Sequence, residues 1–154
     1  MRRVKTILLS IAVAILSITA SAYADNELSI TTKILEEVGK GSSQLKSLNE
    51  TIPGVVVAYE HTLTNPTATV ATDLVFTDRV PEHTSFVAES AKCQNCTILY
   101  SIDGEVFETA TELFTYESST LRLAQSKEYR YIRWIIAELH PHSSQKIIFK
   151  TKID

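Results

Sequence analysis

Short runs of alternating apolar and polar residues, each ended by Gly, Pro, Asn or Asp, recur from residue 28 to residue 153. Alternation of this kind marks strands with one covered face and argues for a sheet protein. LSITTKI (28–34) puts Leu28, Ile30, Thr32 and Ile34 on one side and Ser29, Thr31 and Lys33 on the other. VVVAYEHTLTN (55–65) groups Val57, Tyr59, His61 and Leu63, and Asn65-Pro66 closes it with a turn. ATDLVFTDRVP (71–81) keeps Leu74, Phe76 and Val80 in phase, and HTSFVAES (83–90) reads as a short strand. TILYSIDGEVF (97–107) reads as a hairpin with Asp103-Gly104 as its two-residue turn. YRYIRWIIAEL (129–139) directs Ile132, Trp134 and Ile136 one way, and KIIFKTKI (146–153) directs Ile147, Phe149 and Ile153 inward.

Two stretches break the pattern. EEVGKGSSQLKSLNETIPG (36–54) collects Gly, Ser, Asn and Pro and is expected to be a long loop or a loose edge. In residues 108–128, Leu113, Phe114, Leu121 and Leu123 suit either a helix or two weak strands. A long excursion with at most a short helix is expected there. Seven or eight short strands joined by turns predict an all-β antiparallel sandwich.

The first residues read as an export signal. Arg2, Arg3 and Lys5 precede the apolar run Ile7–Ala20, and Ala22-Tyr23-Ala24 follows as a small-x-small cleavage site. The 14-residue run falls short of the about 20 residues that span a bilayer. A leader at 1–24 and one domain at 25–154 are therefore expected, with no membrane span after cleavage and a secreted or periplasmic product. The absence of a cysteine just after Ala24 argues against a lipid anchor. Cleavage removes three of 15 basic residues and none of 18 acidic ones, leaving 130 residues with a formal charge of −6. That length suits one domain with its own core, and that sign opposes capture of nucleic acid or anionic lipid. The acid reads as spread along the chain, a solvated surface.

LTNPTATVATDLVFTDRVPEHTSFVAES, with Thr64, Asn65, Ala71, Thr72, Leu74, Phe76, Thr77, Asp78, Val80, Pro81 and Phe86 in order, resembles the bacterial surface repeat called domain of unknown function 11. LSITTK, YIRW at 131–134 and LHPHSSQKIIFK at 139–150 look like that family's opening and closing strands. The resemblance spans almost all of 25–154. It implies an immunoglobulin-like sandwich on exported bacterial proteins, usually in tandem arrays, without catalysis. This chain carries a single copy.

CQNC (93–96) holds both cysteines. A zinc site needs further ligands, and His61, His83, His140 and His142 lack finger-like spacing. A redox pair normally places its first cysteine at a helix N-terminus, whereas CQNC lies between two strand-like runs with uncharged Gln94 and Asn95 inside it. Export favours the remaining reading, a structural disulfide between Cys93 and Cys96 that stiffens a loop. Its small ring contributes about 2 kcal/mol by chain-entropy arithmetic.

Other chemistries are weaker still. His140-Pro141-His142 reads as a turn, and His61 as a core histidine. No nucleophile elbow and no glycine-rich phosphate loop occurs, and the four glycines at 39, 41, 54 and 104 are scattered. Asp73 and Asp78 flank a strand, where they either cap turns or hold calcium. A Lys33–Asn65 isopeptide is disfavoured because Lys33 lies in the polar phase. Asn49-Glu50-Thr51 and Asn95-Cys96-Thr97 match glycosylation sequons.

Tyr129, Tyr131 and Arg133 fall on the phase opposite Trp134 and, with Arg130 between them, give a composition that suits either a partner-binding face or one covered by residues 108–128. The expected protein is a non-enzymatic, cofactor-free structural or binding module of the bacterial envelope or extracellular space. Its partner would be an unidentified protein there. Its expected working surface is the Tyr/Arg face plus the loops around CQNC and Asp103-Gly104. The alternative is a thiol–disulfide redox protein using Cys93 and Cys96.

Overall fold

The computed structural model describes residues 27–38, 42–44 and 53–154. The expected leader (1–24) and most of the expected loop at 36–54 lie outside them. The chain forms β1 (Ser29–Val38), β2 (Ser42–Gln44), β3 (Val56–Asn65), β4 (Ala71–Arg79), β5 (Thr84–Phe86) and β6 (Lys92–Cys93). It continues through β7 (Cys96–Ser101), β8 (Phe114–Glu117), β9 (Thr120–Leu123), a 3-10 turn at Ser126–Glu128, β10 (Tyr131–Leu139) and β11 (Ser143–Ile153). No helix among the described residues is long and apolar enough to cross a membrane.

The protein is all-β, and its named strands pair antiparallel. One sheet runs β2-β1-β3-β11-β5, with β6 also on β11; a second runs β4-β10-β7; β8 and β9 pair apart from both. Register decides which residues meet. His61 stands opposite Thr32 and Ile147, and Tyr59 opposite Ile34 and Phe149, so these side chains share the inner face of the first sheet. Trp134 stands opposite Phe76 and Ile98 on the inner face of the second.

The two inner faces pack on each other through rings. Trp134 lies 5.8 Å from Phe76 within its own sheet and 5.9 Å from Phe149 across the gap. Phe149 stacks on Tyr59 at 4.8 Å. Ile132, Trp134, Ile136, Ile147 and Phe149 have no solvent exposure. Each such side chain contributes roughly 1.5–3 kcal/mol of burial, and offset or tilted ring pairs add more. A second aromatic group, Phe86, Tyr100 and Tyr129, closes one end of the core.

Three expectations need correction. Leu28 and Ile30 keep the predicted phase, Ile30 standing opposite Leu63, yet they are 46% and 51% exposed. The second sheet stops at β4, so nothing described covers them; they border an open cleft with Leu63, Leu74 and Phe76. Residues 97–107 do not form a two-residue hairpin. Tyr100 bridges to Glu108, leaving a wide turn in which Gly104 alone has positive φ, at +86°. Residues 108–128 form the β8–β9 hairpin and the 3-10 turn. Ser118 and Ser119, at φ +47° and +70°, make the tight hairpin turn there that Asp103-Gly104 does not.

Candidate binding surface

The CQNC motif sits where the chain passes from one sheet to the other. Cys93 pairs with Ile147 on β11, and three residues later Cys96 pairs with Ile136 on β10. The disulfide joins them, and both half-buried cysteines pack against the core. Asn95, at φ +54°, turns the loop, and the Gln145 amide donates to the Gln94 carbonyl. Cys96 opens a strand, so no helix dipole faces either sulfur to favour a thiolate. The geometry is that of a corner staple.

The four residues of the Tyr/Arg group separate. Tyr129 is not on the outer face: it is buried against Tyr100 at 4.6 Å and Phe86 at 5.7 Å. It precedes β10, ending the 3-10 turn, and so escapes the strand's alternation. Burial pushes its phenol, like that of Tyr100, above the ordinary range. Arg130 is exposed and donates to the Thr84 carbonyl. Tyr131 and Arg133 do occupy the outer face of β10, but residues of the 101–107 turn cover them. A Cβ on Gly104 would stand 3.0 Å from the Tyr131 ring. The Arg133 guanidinium lies 3.5 Å over the Phe107 ring, and its Nε donates to the Thr77 hydroxyl. The cover comes from 101–107, not from 108–128.

The two aspartates do not converge. Asp73 is exposed at φ +54°, a kink at which the β4–β10 ladder skips the pair Asp73/Ala137. Asp78 turns inward, and its Oδ2 lies 2.9 Å from His61 Nε2. The contact is close, but the ring N–H is not aligned on the carboxylate, and Nε2 has no true hydrogen bond among the described residues. His61 Nδ1 lies 2.9 Å from the Thr32 hydroxyl. A proton on Nε2, with Nδ1 accepting from Thr32, suits both contacts. The imidazole is buried between Phe76 and Phe149. Hydroxyl, imidazole and carboxylate are the parts of a hydrolytic relay, but the carboxylate contact lacks a relay's alignment, and the three residues draw β1, β3 and β4 together across the open edge. Thr32 went unread in the sequence; its signal was a hydroxyl in the apolar phase of β1. Among the described residues no group of three or more His, Cys, Asp or Glu is placed to hold a metal.

No family model, curated protein or solved structure matches this chain. The likeness to the bacterial surface repeat therefore stands on the residues quoted for it alone.

The surface that sequence reasoning missed is the β8–β9 hairpin. Phe114 stands opposite Leu123 and Tyr116 opposite Leu121, so all four large side chains share one face. They are 53%, 43%, 73% and 55% exposed, in that order, and Val106 beside them is 55% exposed. Soluble domains seldom leave so many large apolar side chains together in water unless the patch is used. The hairpin is anchored at its base, where buried Leu113 accepts a hydrogen bond from Ala124 at 2.8 Å. Its other face carries Thr115 and Arg122. Arg122 donates to Glu117 at 2.7 Å and to both carboxylate oxygens of Glu128 at 2.8 Å, fixing the hairpin to the 3-10 turn. A cavity of about 240 Å³ opens beside β8 between Ile102, Asp103, Val106, Leu113, Phe114 and Tyr116. At its rim Asp103 accepts from the amides of Glu105 and Val106 and from the Ser101 hydroxyl, bonds that hold its carboxyl below the usual carboxylate range.

The Arg122–Glu128 pair gives the hairpin a pH response. Arg122 first, and then the Gln125 amide, hold the Glu128 carboxyl down to about 2. A depressed carboxylate stabilises the fold above its unfolded value of about 4.3 and loses that contribution as pH falls through its folded value. Protection of the Arg122 and Leu123 amides, taken relative to the intrinsic exchange rate at each pH, is expected to fall between about pH 4.5 and about 2, while the core amides of β10 stay protected. Glu128→Gln should show the lowered protection at every pH. An equal acid response in that variant would assign the effect to another group.

Proposed function

We propose that this chain is an exported, non-enzymatic binding module of the bacterial envelope or extracellular space, built on an immunoglobulin-like sandwich. The observation that carries the reading is the anchored hairpin whose Phe114, Tyr116, Leu121 and Leu123 face water together. The rest of the surface supports it: the Tyr131 and Arg133 side chains are occupied within the fold, and the disulfide lies at a structural corner. Export rests on the leader at 1–24, and the sandwich type on the resemblance to the surface repeat. Thiol–disulfide exchange, the competing function, lacks the helix N-terminus that activates such cysteines.

A photo-crosslinking amino acid at Tyr116, in the full-length protein in its native cells, tests the reading. The mature protein is expected to start at Asp25 by mass, and residue 116 is expected to form an adduct with a protein of the envelope or medium. The same probe at exposed Thr72, on β4, serves as reference. Equal labelling at the two positions, or retention of the uncleaved chain in the cytoplasm, would overturn the proposal.

A further inference from the structure

The charge around the hairpin is lopsided. Residues 102–128 hold six acidic residues (Asp103, Glu105, Glu108, Glu112, Glu117 and Glu128) and two basic ones, Arg122 and Lys127. That net of −4 is two-thirds of the −6 carried by residues 25–154, placed in about a fifth of their length. The expectation of evenly spread acid is corrected here. Arg122 is the only cation bonded within this group, and it is shared by Glu117 and Glu128. Asp103 lines the cavity, and Glu105 and Glu112 directly precede Val106 and Leu113, which line it too, whereas Glu117 lies on the opposite face of β8 against Arg122. Asp103, Glu105 and Glu112 are exposed.

This rim selects among occupants of the apolar face. A second copy docked by two-fold symmetry would set the same patch against itself, bringing like-charged rims together. The area is also too small: five large side chains about half exposed offer on the order of 500 Å², against about 800 Å² per partner in a standard stable interface. An anionic lipid surface is repelled for the same electrostatic reason. What fits is a short partner segment with apolar side chains for the face and cations for the rim. The cavity of about 240 Å³ is below the roughly 300–1,000 Å³ of small-molecule sites, and suits one inserted side chain.

We propose that the apolar face of the β8–β9 hairpin is a docking site for a cationic apolar segment of a partner protein, an extended stretch in which Lys or Arg alternates with large apolar residues. An extended segment sets alternate side chains against Phe114, Tyr116, Leu121 and Leu123, and the long stems of its intervening Lys or Arg bend back over the rim to Asp103, Glu105 and Glu112. The inference rests on the binding-module reading and names the partner's chemistry.

The test uses the disulfide-bonded domain 25–154 and a fluorescent seven-residue peptide, Lys-Leu-Lys-Phe-Lys-Leu-Lys, in anisotropy titrations at 0.1 M salt. Micromolar binding is expected, weakened at least tenfold by the pair Tyr116→Ser and Leu121→Ser. The pair Glu105→Gln and Glu112→Gln should weaken it severalfold and flatten its salt dependence. All four positions are exposed, so circular dichroism should show the native fold in each variant. Equal affinity in the serine variant would mean charge attraction alone and would overturn the proposal. So would equal affinity for a peptide of the same composition with its three apolar residues grouped together. Preferential binding to phosphatidylcholine or phosphatidylglycerol vesicles would assign the face to lipid, and a dimer in sedimentation equilibrium lost in the serine variant would assign it to a second copy. A failed peptide titration beside a persisting cellular adduct at residue 116 would remove only this partner class. Failure of both would remove the binding module with it.

Discussion

Asn65→Asp is expected to cost the domain roughly 3 kcal/mol or more, although the two side chains match in shape. Asn65 ends β3 with no solvent exposure and uses its amide fully. Its Nδ2 donates to the Thr69 carbonyl at 2.8 Å and to the Leu139 carbonyl at 2.9 Å. Its Oδ1 accepts from the Thr67 amide and the Thr67 hydroxyl. One side chain thus ties the end of β3 in the first sheet to the end of β10 in the second and shapes the loop between β3 and β4. Aspartate keeps the acceptor and loses the donor, so a carboxylate would face two carbonyl oxygens away from water. Asn65→Ala should cost a similar amount by leaving the same groups unpaired. Urea unfolding followed by circular dichroism would read both, with thermal midpoints falling roughly 10 °C. A loss below about 1 kcal/mol in the aspartate variant would show that water replaces the donor and that the tie is dispensable.

Trp134→Ala is expected to cost about 3–5 kcal/mol, the range for emptying a large aromatic site in a close-packed core. Trp134 has no exposed area and touches Phe76 on its own sheet and Phe149 on the other. Trp134→Phe separates volume from polarity. The indole Nε1 has no hydrogen-bond partner among the described residues, so phenylalanine gives up no bond seen there and removes a buried donor left unpaired. Its cost should stay near 1–2 kcal/mol, the part due to lost volume. If phenylalanine proved as damaging as alanine, a bond from Nε1 would have to be holding the site.

The strands that were legible in the sequence are those with apolar side chains on one phase. Val57, Tyr59, His61 and Leu63 on β3, Ile132, Trp134 and Ile136 on β10, and Ile147 and Phe149 on β11 all face the core as their alternation requires. Alternation assigns a side but not a cover. Leu28 and Ile30 hold the right phase over a cleft because the second sheet ends at β4. Phe114, Tyr116, Leu121 and Leu123 fit no buried pattern because nothing described buries them. Tyr129 faces the core against the alternation because it caps the 3-10 turn two residues before β10 begins. The polar tie of Thr32, His61 and Asp78 joins positions far apart in sequence, and only the register of β1 on β3 and the packing of the sheets bring them together.

The register of the first sheet also sets how the molecule would carry a load. Ser29 stands opposite Thr64, at the C-terminal end of β3, while Lys152 stands opposite Val56, at its N-terminal end. β1 and β11 therefore lie parallel on either side of β3, and the chain enters the sheet at one end and leaves it at the other. Tension applied through those two strands runs along them, so the rungs of both ladders resist together instead of opening one after another. A domain wired this way holds under pull as a lap joint does, by the whole length of its overlap.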